Sequence, residues 1–330
     1  MKIAVELERG PYRSRIFSFS SFKQQIALTP AFIPAVSSVA TRHWMRVLAS
    51  IRKGIAGKGL VLVSAYDCAA ANVRSIRGFR GVILDSGGYE SRRLRVAWPE
   101  RTFVTTARRV NADLFVGYDA DAAAAPSWRQ QIDRQVVAFR RLEKRKLRAL
   151  LLHASPKEAP PDAVVKHLAR HATEWDVLGL VENDLGIGLA ERVRAVDAYR
   201  RSLDAATLFR PVHVFGTDSP LAIALYSLAG ADLFDGLAWC VDFVDCQSLR
   251  IEPFAHHDLS PRWRSFADER GGPSDEPTRR GLVWEWNLTE LSMFAASLRR
   301  AIVGRSEEDC RRLFGSRLEE VAPILESLLT

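Results

Sequence analysis

Four stretches of this chain end in groups suited to acid–base or nucleophilic chemistry: Asp85, Asp119, His153 and Asp235. The first closes Gly81-Val82-Ile83-Leu84-Asp85 and is followed by Ser86-Gly87-Gly88-Tyr89-Glu90. A short β-branched run therefore ends in a carboxylate and a hydroxyl, then two glycines, then an aromatic. The run has the length and residue types of a buried strand. Glycines directly after it either turn the chain sharply or let a ligand approach the backbone closely. A carboxylate at such a tip is costly unless solvent, a partner or a substrate receives it. Taken alone, the motif is equally a turn whose Asp caps the next helix and a catalytic corner. Several carboxylates meeting in one cleft can divide labour, one attacking as nucleophile and another moving the proton. At an anomeric carbon that chemistry is a double displacement through a covalent glycosyl–enzyme intermediate.

For these groups to meet, the strands that carry them must share one end. Residues 1–28 mix short apolar stretches with a turn at Gly10-Pro11 and read as a small β layer. From Thr29 the pattern is an alternation of continuous apolar runs and amphipathic segments. The runs are Thr29 to Val36, Leu60 to Ser64, Gly81 to Leu84, Asp113 to Asp119, Leu147 to Leu152, Trp175 to Leu180, Arg210 to Gly216 and Ala231 to Leu237. Between them fall helical patterns, among them Thr102 to Val110, Ser127 to about Lys146, Asp162 to His171, Ala190 to Leu203 and Ser219 to Ala229. Eight buried strands separated by helices predict an α/β fold, a TIM (β/α)8 barrel over residues 29–260. A doubly wound open sheet is the alternative, but Gly186-Ile187-Gly188 lacks the full dinucleotide pattern. Residues 261–281 read as a loop, and 282–330 as C-terminal helices packed on the barrel, with Asn287-Leu288-Thr289 opening the longest. In a barrel of this kind the strand C-termini share one face, which collects Asp85, Asp119, His153 and Asp235.

Composition bounds the function more loosely. The 330 residues are 47% hydrophobic and 26% charged, the proportions of an ordinary globular protein. No apolar run approaches the ~20 residues of a membrane span, and the N-terminus lacks a signal-peptide core, so a cytoplasmic location is expected. Cys68, Cys240, Cys246 and Cys310 are scattered without a C-x-x-C pair and read as reduced thiols. The net charge of +8 fits a polyanionic partner without requiring one. The densest basic run, Arg140 to Arg148, is equally a solvated helix end and a phosphate-binding patch.

The motifs, in order, resemble those of the tRNA-guanine transglycosylase superfamily (queuine and archaeosine tRNA-ribosyltransferases) over roughly residues 27–303. Asp85-Ser86-Gly87-Gly88-Tyr89 resembles the family's Asp-Ser-Gly-Gly-Phe/Tyr-Gln signature, and Thr29-Pro30-Ala31-Phe32-Ile33-Pro34 its Thr-Pro-x-Phe-Met-Pro entry strand. Tyr118-Asp119 resembles its Phe-Asp, Gly230-Ala231-Asp232-Leu233-Phe234-Asp235 its Gly-x-Asp-x-Phe-Asp, and Asn287-Leu288 lies where its His-Asn-Leu opens the last helix. The resemblance implies a pentosyltransferase that replaces guanine in a nucleic acid, tRNA or DNA, with a 7-deazaguanine base, as in queuosine formation. Asp235 would be the nucleophile at C1′ and Asp85 the general acid/base. Ser86 and Asp119 would hydrogen-bond the purine edge, with His153 on the fifth strand in the place of the family's Gln. Gly87 and Gly88 would form the floor under the base, and Gly179 would offer backbone contacts. Tyr89, or Tyr66 after the second strand, would stack on it.

Departures from the family pattern limit what carries over. The family's structural zinc is bound by Cys-x-Cys-x-x-Cys and a distant His; the cysteine cluster is missing and the His is replaced by Trp286. His256-His257 cannot easily both ligate one ion, and His167 with His171, four apart, reads more simply as a solvated helix face. No metal and no cofactor are therefore expected. The basic stretch that follows the family's nucleophile is here Trp239-Cys240-Val241-Asp242-Phe243-Val244-Asp245. These changes point to a divergent, zinc-less member, with the DNA-inserting relatives as one model for its substrate, and leave a homodimer or partner proteins open. The competing expectations are a catalytically silent barrel that binds nucleic acid or serves as a partner subunit, and a hydrolase of nucleosides or related glycosides.

Overall fold

Continuous apolar runs become strands buried on both faces in the computed structural model of the chain, which describes residues 1–21, 24–53, 59–119, 127–142, 146–272 and 275–329. Three antiparallel strands open it: β1 (Lys2–Leu7), β2 (Ile16–Ser21) and β3 (Gln24–Leu28). Eight parallel strands follow: β4 (Ala31–Val36), β5 (Leu60–Ser64), β6 (Gly81–Asp85), β7 (Leu114–Val116), β8 (Leu147–Leu152), β9 (Val177–Val181), β10 (Val212–Phe215) and β11 (Leu233–Gly236). Each pairs with the next in sequence, and β11 returns to β4 with Asp235 opposite Ile33, closing the barrel. The chain is thus a (β/α)8 barrel. Helices on the outside hide the second face of every strand, which is why β5 and β8 are apolar or buried at every position instead of alternating.

The first sheet decides which end of the barrel is open. Phe17, Phe19 and Ile26 share a core with the inward-pointing Ile33, Leu60, Ile83, Leu114 and Leu147. These residues lie toward the strand N-termini, so β1–β3 plug that end and leave the C-terminal mouth open to solvent. The expected β layer over residues 1–28 is therefore present, and its position restricts chemistry to the opposite face.

Beyond the barrel the structure corrects two expectations. Residues 261–281 are not one loop: Pro261–Asp268 is a helix, capped by the Ser260 hydroxyl on the Trp263 amide. Ser-Pro is a start signal in its own right, and Trp263 and Ala267, four apart, give this helix a buried face. The long C-terminal helix begins at Glu276, capped by Asp275, and runs to Val303, so Asn287 lies inside it and does not open it. Pro273 and Ser274 of the expected loop, and Glu143 to Arg145 of the basic run, lie outside the described residues. The helix expected to reach Lys146 spans Trp128–Phe139. A hairpin of β12 (Asp242–Asp245) and β13 (Arg250–Pro253), unforeseen in the sequence, follows the last barrel strand. Among the described residues, no helix is long and apolar enough to cross a membrane.

One buried ion pair aligns the last barrel strand. Arg200, on the helix Leu189–Ala205, donates from Nη2 to Asp232 Oδ2 at 2.6 Å, and both side chains are fully buried. Its Nε donates to the Gly230 carbonyl at 2.8 Å and Nη1 to the Arg210 carbonyl at 3.0 Å, while the Val212 amide donates to Asp232 at 2.7 Å. The turn before β11 is thereby tied to the start of β10. Removing one partner strands a charge in the interior, so Arg200→Met is expected to destabilise the protein by about 3–5 kcal/mol. Urea unfolding of the variant beside wild type measures this directly.

Candidate active site

The open mouth holds a cavity of about 350 Å³ into which Asp85, Asp119, His153 and Asp235 all project. Asp85 and Ser64 are neighbours across β6 and β5, and Asp235 sits opposite Phe215 across β11 and β10. Register alone therefore brings strand tips distant in sequence to one rim. The cavity is also lined by Tyr89, Glu90, Arg92, Phe215 and Asp218, which the sequence reading did not assign to the site except for Tyr89.

The corner formed by Asp85, Ser86, Asp119 and His153 carries most of the organised charge. Ser86 Oγ donates to Asp119 Oδ1 and accepts the Gly88 amide at 3.0 Å. His153 Nε2 lies 2.8 Å from Asp119 Oδ2, and its Nδ1 lies 3.2 Å from Asp184 Oδ2. Arg92 Nη1 adds a third contact to Asp119 Oδ2 at 3.2 Å. Burial alone would raise the Asp119 carboxyl, but the hydrogen bond and charge of His153, then Arg92 and Ser86, outweigh it and hold the group below its ordinary value. Burial likewise works against a charged His153, yet its two carboxylate partners lift it to about 9. At neutral pH the corner is an ionised carboxylate beside an imidazolium. Among the described residues, no cation pairs with Asp85. Burial, then the charges of Asp119 and Glu90, push it well above the usual carboxylate range, against the pull of the Gly87 amide at 3.1 Å and with a further push from Asp235. Two carboxyl groups in one cavity are thus shifted in opposite directions, Asp119 by the His153 and Arg92 beside it and Asp85 by burial and neighbouring acids.

His153 is held from behind by a device that strand pairing cannot supply. β7 pairs with β8 only as far as Val116 opposite Ala149, which leaves the end of β8 without a neighbour on that side. Gln135 and Gln131, four apart on the helix Trp128–Phe139, fill in with their side-chain amides. Gln135 donates to the Leu151 carbonyl at 2.6 Å and accepts the Leu151 amide at 2.8 Å. Gln131 does the same for His153, at 2.9 and 3.1 Å. The imidazole therefore projects from a backbone fixed on both its polar groups.

The His153 charge has a measurable signature. Its value in the folded protein is raised above the ordinary 6.5, so its contribution to stability is complete below that pH and is lost as pH climbs through about 9. Asp119, lowered when folded, has the opposite sign and gives up its contribution in acid. The melting temperature of wild type is expected to fall between about pH 7 and about pH 10 more steeply than that of His153→Gln, as scanning calorimetry across that range will show.

At the tip of β11, Asp235 Oδ1 lies 2.9 Å from Nε2 of His213, a fully buried residue of β10. The approach is off the line of a hydrogen bond, so neither imidazole nitrogen has a hydrogen-bond partner. The ring stacks on Phe215 at 3.8 Å. Asp218 accepts the Leu237 and Ala238 amides on Oδ2 at 2.9 and 3.0 Å, leaving Oδ1 without a partner. Burial and then the charge of Asp235 among its neighbours lift Asp218 to about 7, against the two amides. Asp218 follows the seventh apolar run by the same strand-tip rule that located the others, so the sequence held a signal for it. His213 lies inside a strand and gave none. Glu90 was equally hidden: it is buried in the cavity wall, accepting Ser37 Oγ at 2.6 Å and Ser64 Oγ at 2.7 Å.

Four assigned positions have other work. A Cβ on Gly88 would strike the Asp119 carboxylate, and Gly87, at φ +89°, packs against Tyr66. Neither lines the cavity; they are small so that Asp119 and Tyr66 can close in. The floor expected under a base is not made of these glycines. Gly179 sits two residues before the end of β9, where an added Cβ would lie 2.8 Å from the Phe215 ring and 2.9 Å from the Leu150 carbonyl, so it admits that ring instead of facing the cavity. Tyr66 turns its ring edge-on to Trp98 at 5.4 Å, away from the cavity, which leaves Tyr89 and Phe215 as its aromatic walls.

Trp286 and Asn287, where the resemblance would look for a zinc ligand, pack into a cluster without one. Trp286 stacks on Phe243 at 6.0 Å, meets Phe266 edge-on at 5.3 Å and donates to the Val244 carbonyl at 3.0 Å. Asn287 accepts the Val244 amide and donates to the Trp239 and Asp242 carbonyls, all at 2.8 Å. An aromatic cluster and one buried amide thus hold the hairpin to the long helix. Burial pushes the Cys240 thiol up to about 12 and Cys246 well above its ordinary value, which disfavours the thiolates a zinc ion needs. These residues do not fit zinc. Compared with family models and with curated proteins, the chain matches none of either.

Proposed function

We propose that this chain is a base-exchange transglycosylase that replaces guanine in a nucleic acid with a 7-deazaguanine through a covalent aspartyl–ribosyl intermediate. The observation that carries the reading is one cavity into which Asp85, Asp119, His153 and Asp235 all project, the Asp85 carboxyl pushed above the ordinary carboxylate range and Asp119 held below it. Oδ of Asp235 would attack C1′ as the C1′–N9 bond breaks; the bonding pair leaves with the base, and Asp85 supplies the proton. The incoming base then returns a proton to Asp85, attacks C1′ and releases Asp235. Anionic Asp119 suits the N–H edge of a guanine-like base, cationic His153 suits its carbonyl, and Tyr89 and Phe215 offer faces for stacking.

A polymer is favoured over a free nucleoside by the surroundings. The cavity opens into a wider cleft of about 1270 Å³ lined in part by Arg92, Arg93, Lys157, Arg192 and Arg194. Such a cleft can track phosphates while the target base leaves its stack. The test is incorporation of labelled guanine or a 7-deazaguanine into tRNA and into duplex DNA, side by side. Incorporation into either supports the reading. Release of free base without incorporation would assign a hydrolase, and absence of both would leave a binding role for the same cleft.

A further inference from the structure

On the outside of the barrel, away from the cavity, three side chains converge. His167 lies in the last turn of the helix Pro161–Ala169 and His171 in the turn that follows it, and both bring Nε2 to the same carboxylate. Asp133 faces them from the neighbouring helix Trp128–Phe139. Its Oδ1 lies 2.8 Å from His167 Nε2 and 3.4 Å from His171 Nε2, and the three ligand-type atoms all fall within 4.8 Å of one another. The two rings meet edge-on, 5.3 Å apart at 69°, and each turns Nε2 toward Asp133 Oδ1. Trp128 packs edge-on against His167 at 5.7 Å and holds that ring in place. The imidazoles are 12% and 24% exposed and the carboxylate 51%, a cluster supported from beneath and open to water.

We infer that Asp133, His167 and His171 form a site for a divalent transition-metal ion, zinc by preference of availability, with water completing its coordination. Metal–ligand distances near 2.0–2.1 Å in a tetrahedral shell put neighbouring donor atoms about 3.3 Å apart. The separations of 2.8 and 3.4 Å bracket that spacing, so an ion needs only small side-chain adjustments to enter. Two imidazole nitrogens and one carboxylate oxygen suit zinc, and copper or nickel would bind the same donors at least comparably. The hard cations magnesium and calcium, which prefer all-oxygen shells, would not.

The site also has a reason to be where it is. The helix that presents Asp133 outward presents Gln131 and Gln135 inward, to the backbone of His153 and Leu151. An ion would pin that helix to the next one and so stiffen the support under His153. The site does not depend on the base-exchange reading, because its first readout is binding.

The experiment is calorimetric titration of chelator-treated full-length protein with zinc chloride alone, beside thermal unfolding with and without zinc. Wild type is expected to take up one zinc at micromolar concentrations and to melt at a higher temperature with it. His171→Ala and Asp133→Asn should each weaken binding about tenfold or more, and His167→Ala/His171→Ala should abolish it. Retained secondary structure by circular dichroism shows that these partly exposed substitutions leave the fold intact. No saturable binding below about 1 mM, or binding that survives in the double variant, would overturn the assignment.

Discussion

Asp235→Asn is expected to lower base exchange by about 10⁴-fold or more while leaving the melting temperature within a few degrees of wild type. An amide has nearly the shape of a carboxylate, so the wall of the cavity survives, but it is a far poorer nucleophile toward C1′. Asp235 Oδ1 lies 2.9 Å from His213 Nε2 but makes no hydrogen bond among the described residues, so an amide at this position gives none up and the variant is a fair test. Wild type incubated with a labelled oligonucleotide should yield a denaturant-resistant protein–nucleic acid adduct, and Asp235→Asn should not. Exchange that persists undiminished in Asp235→Asn and Asp235→Ala would exclude a covalent route through this residue.

Asp85→Asn is expected to cost about 10²–10⁴-fold, the range for loss of a positioned general acid. The reason lies in the raised Asp85 carboxyl: burial and its anionic neighbours favour the protonated form, which is the form a general acid uses. An amide keeps the hydrogen-bonding shape and cannot give that proton up. The two variants are separable with substrates whose leaving base is a weaker base than guanine. Such a base departs without protonation, so Asp85→Asn should recover much of its rate and Asp235→Asn none. Equal recovery in both, or in neither, would remove Asp85 from the proton's path.

How much of this was legible in the residues can be judged from particular positions. β5 and β8 are continuous apolar runs because both faces are covered, and a chain that repeats such runs with intervening amphipathic segments has few ways to fold other than a barrel. Asp85, Asp119, His153 and Asp235 were visible because each follows such a run, and a parallel barrel sends all strand ends to one face. Asp218 obeys the same rule and could have been read. Trp263, in contrast, sits in a helix that Gly and Pro residues nearby disguised as a loop, although the Ser260-Pro261 start was present.

The amino-acid sequence by itself determined the eight-unit barrel, the face that carries the polar groups, and the identity of the carboxylates on it. These depend on periodicity and on strand direction, which are properties of neighbouring residues. Only the tertiary structure decided which carboxylate is raised and which is lowered. Asp85 and Asp119 both end strand segments, and nothing local distinguishes them. The difference arises because Asp119 meets His153, 34 residues away, and Arg92, 27 residues away, while Asp85 meets other acids. The roles of Gly87, Gly88 and Gly179 were misplaced for the same reason: a glycine shows that something comes close, and only the fold shows what. Here it is Asp119, Tyr66 and the Phe215 ring. Charge state and close approach are set by distance in space, and pairs separated by tens of residues carry no mark of that distance in their order along the chain.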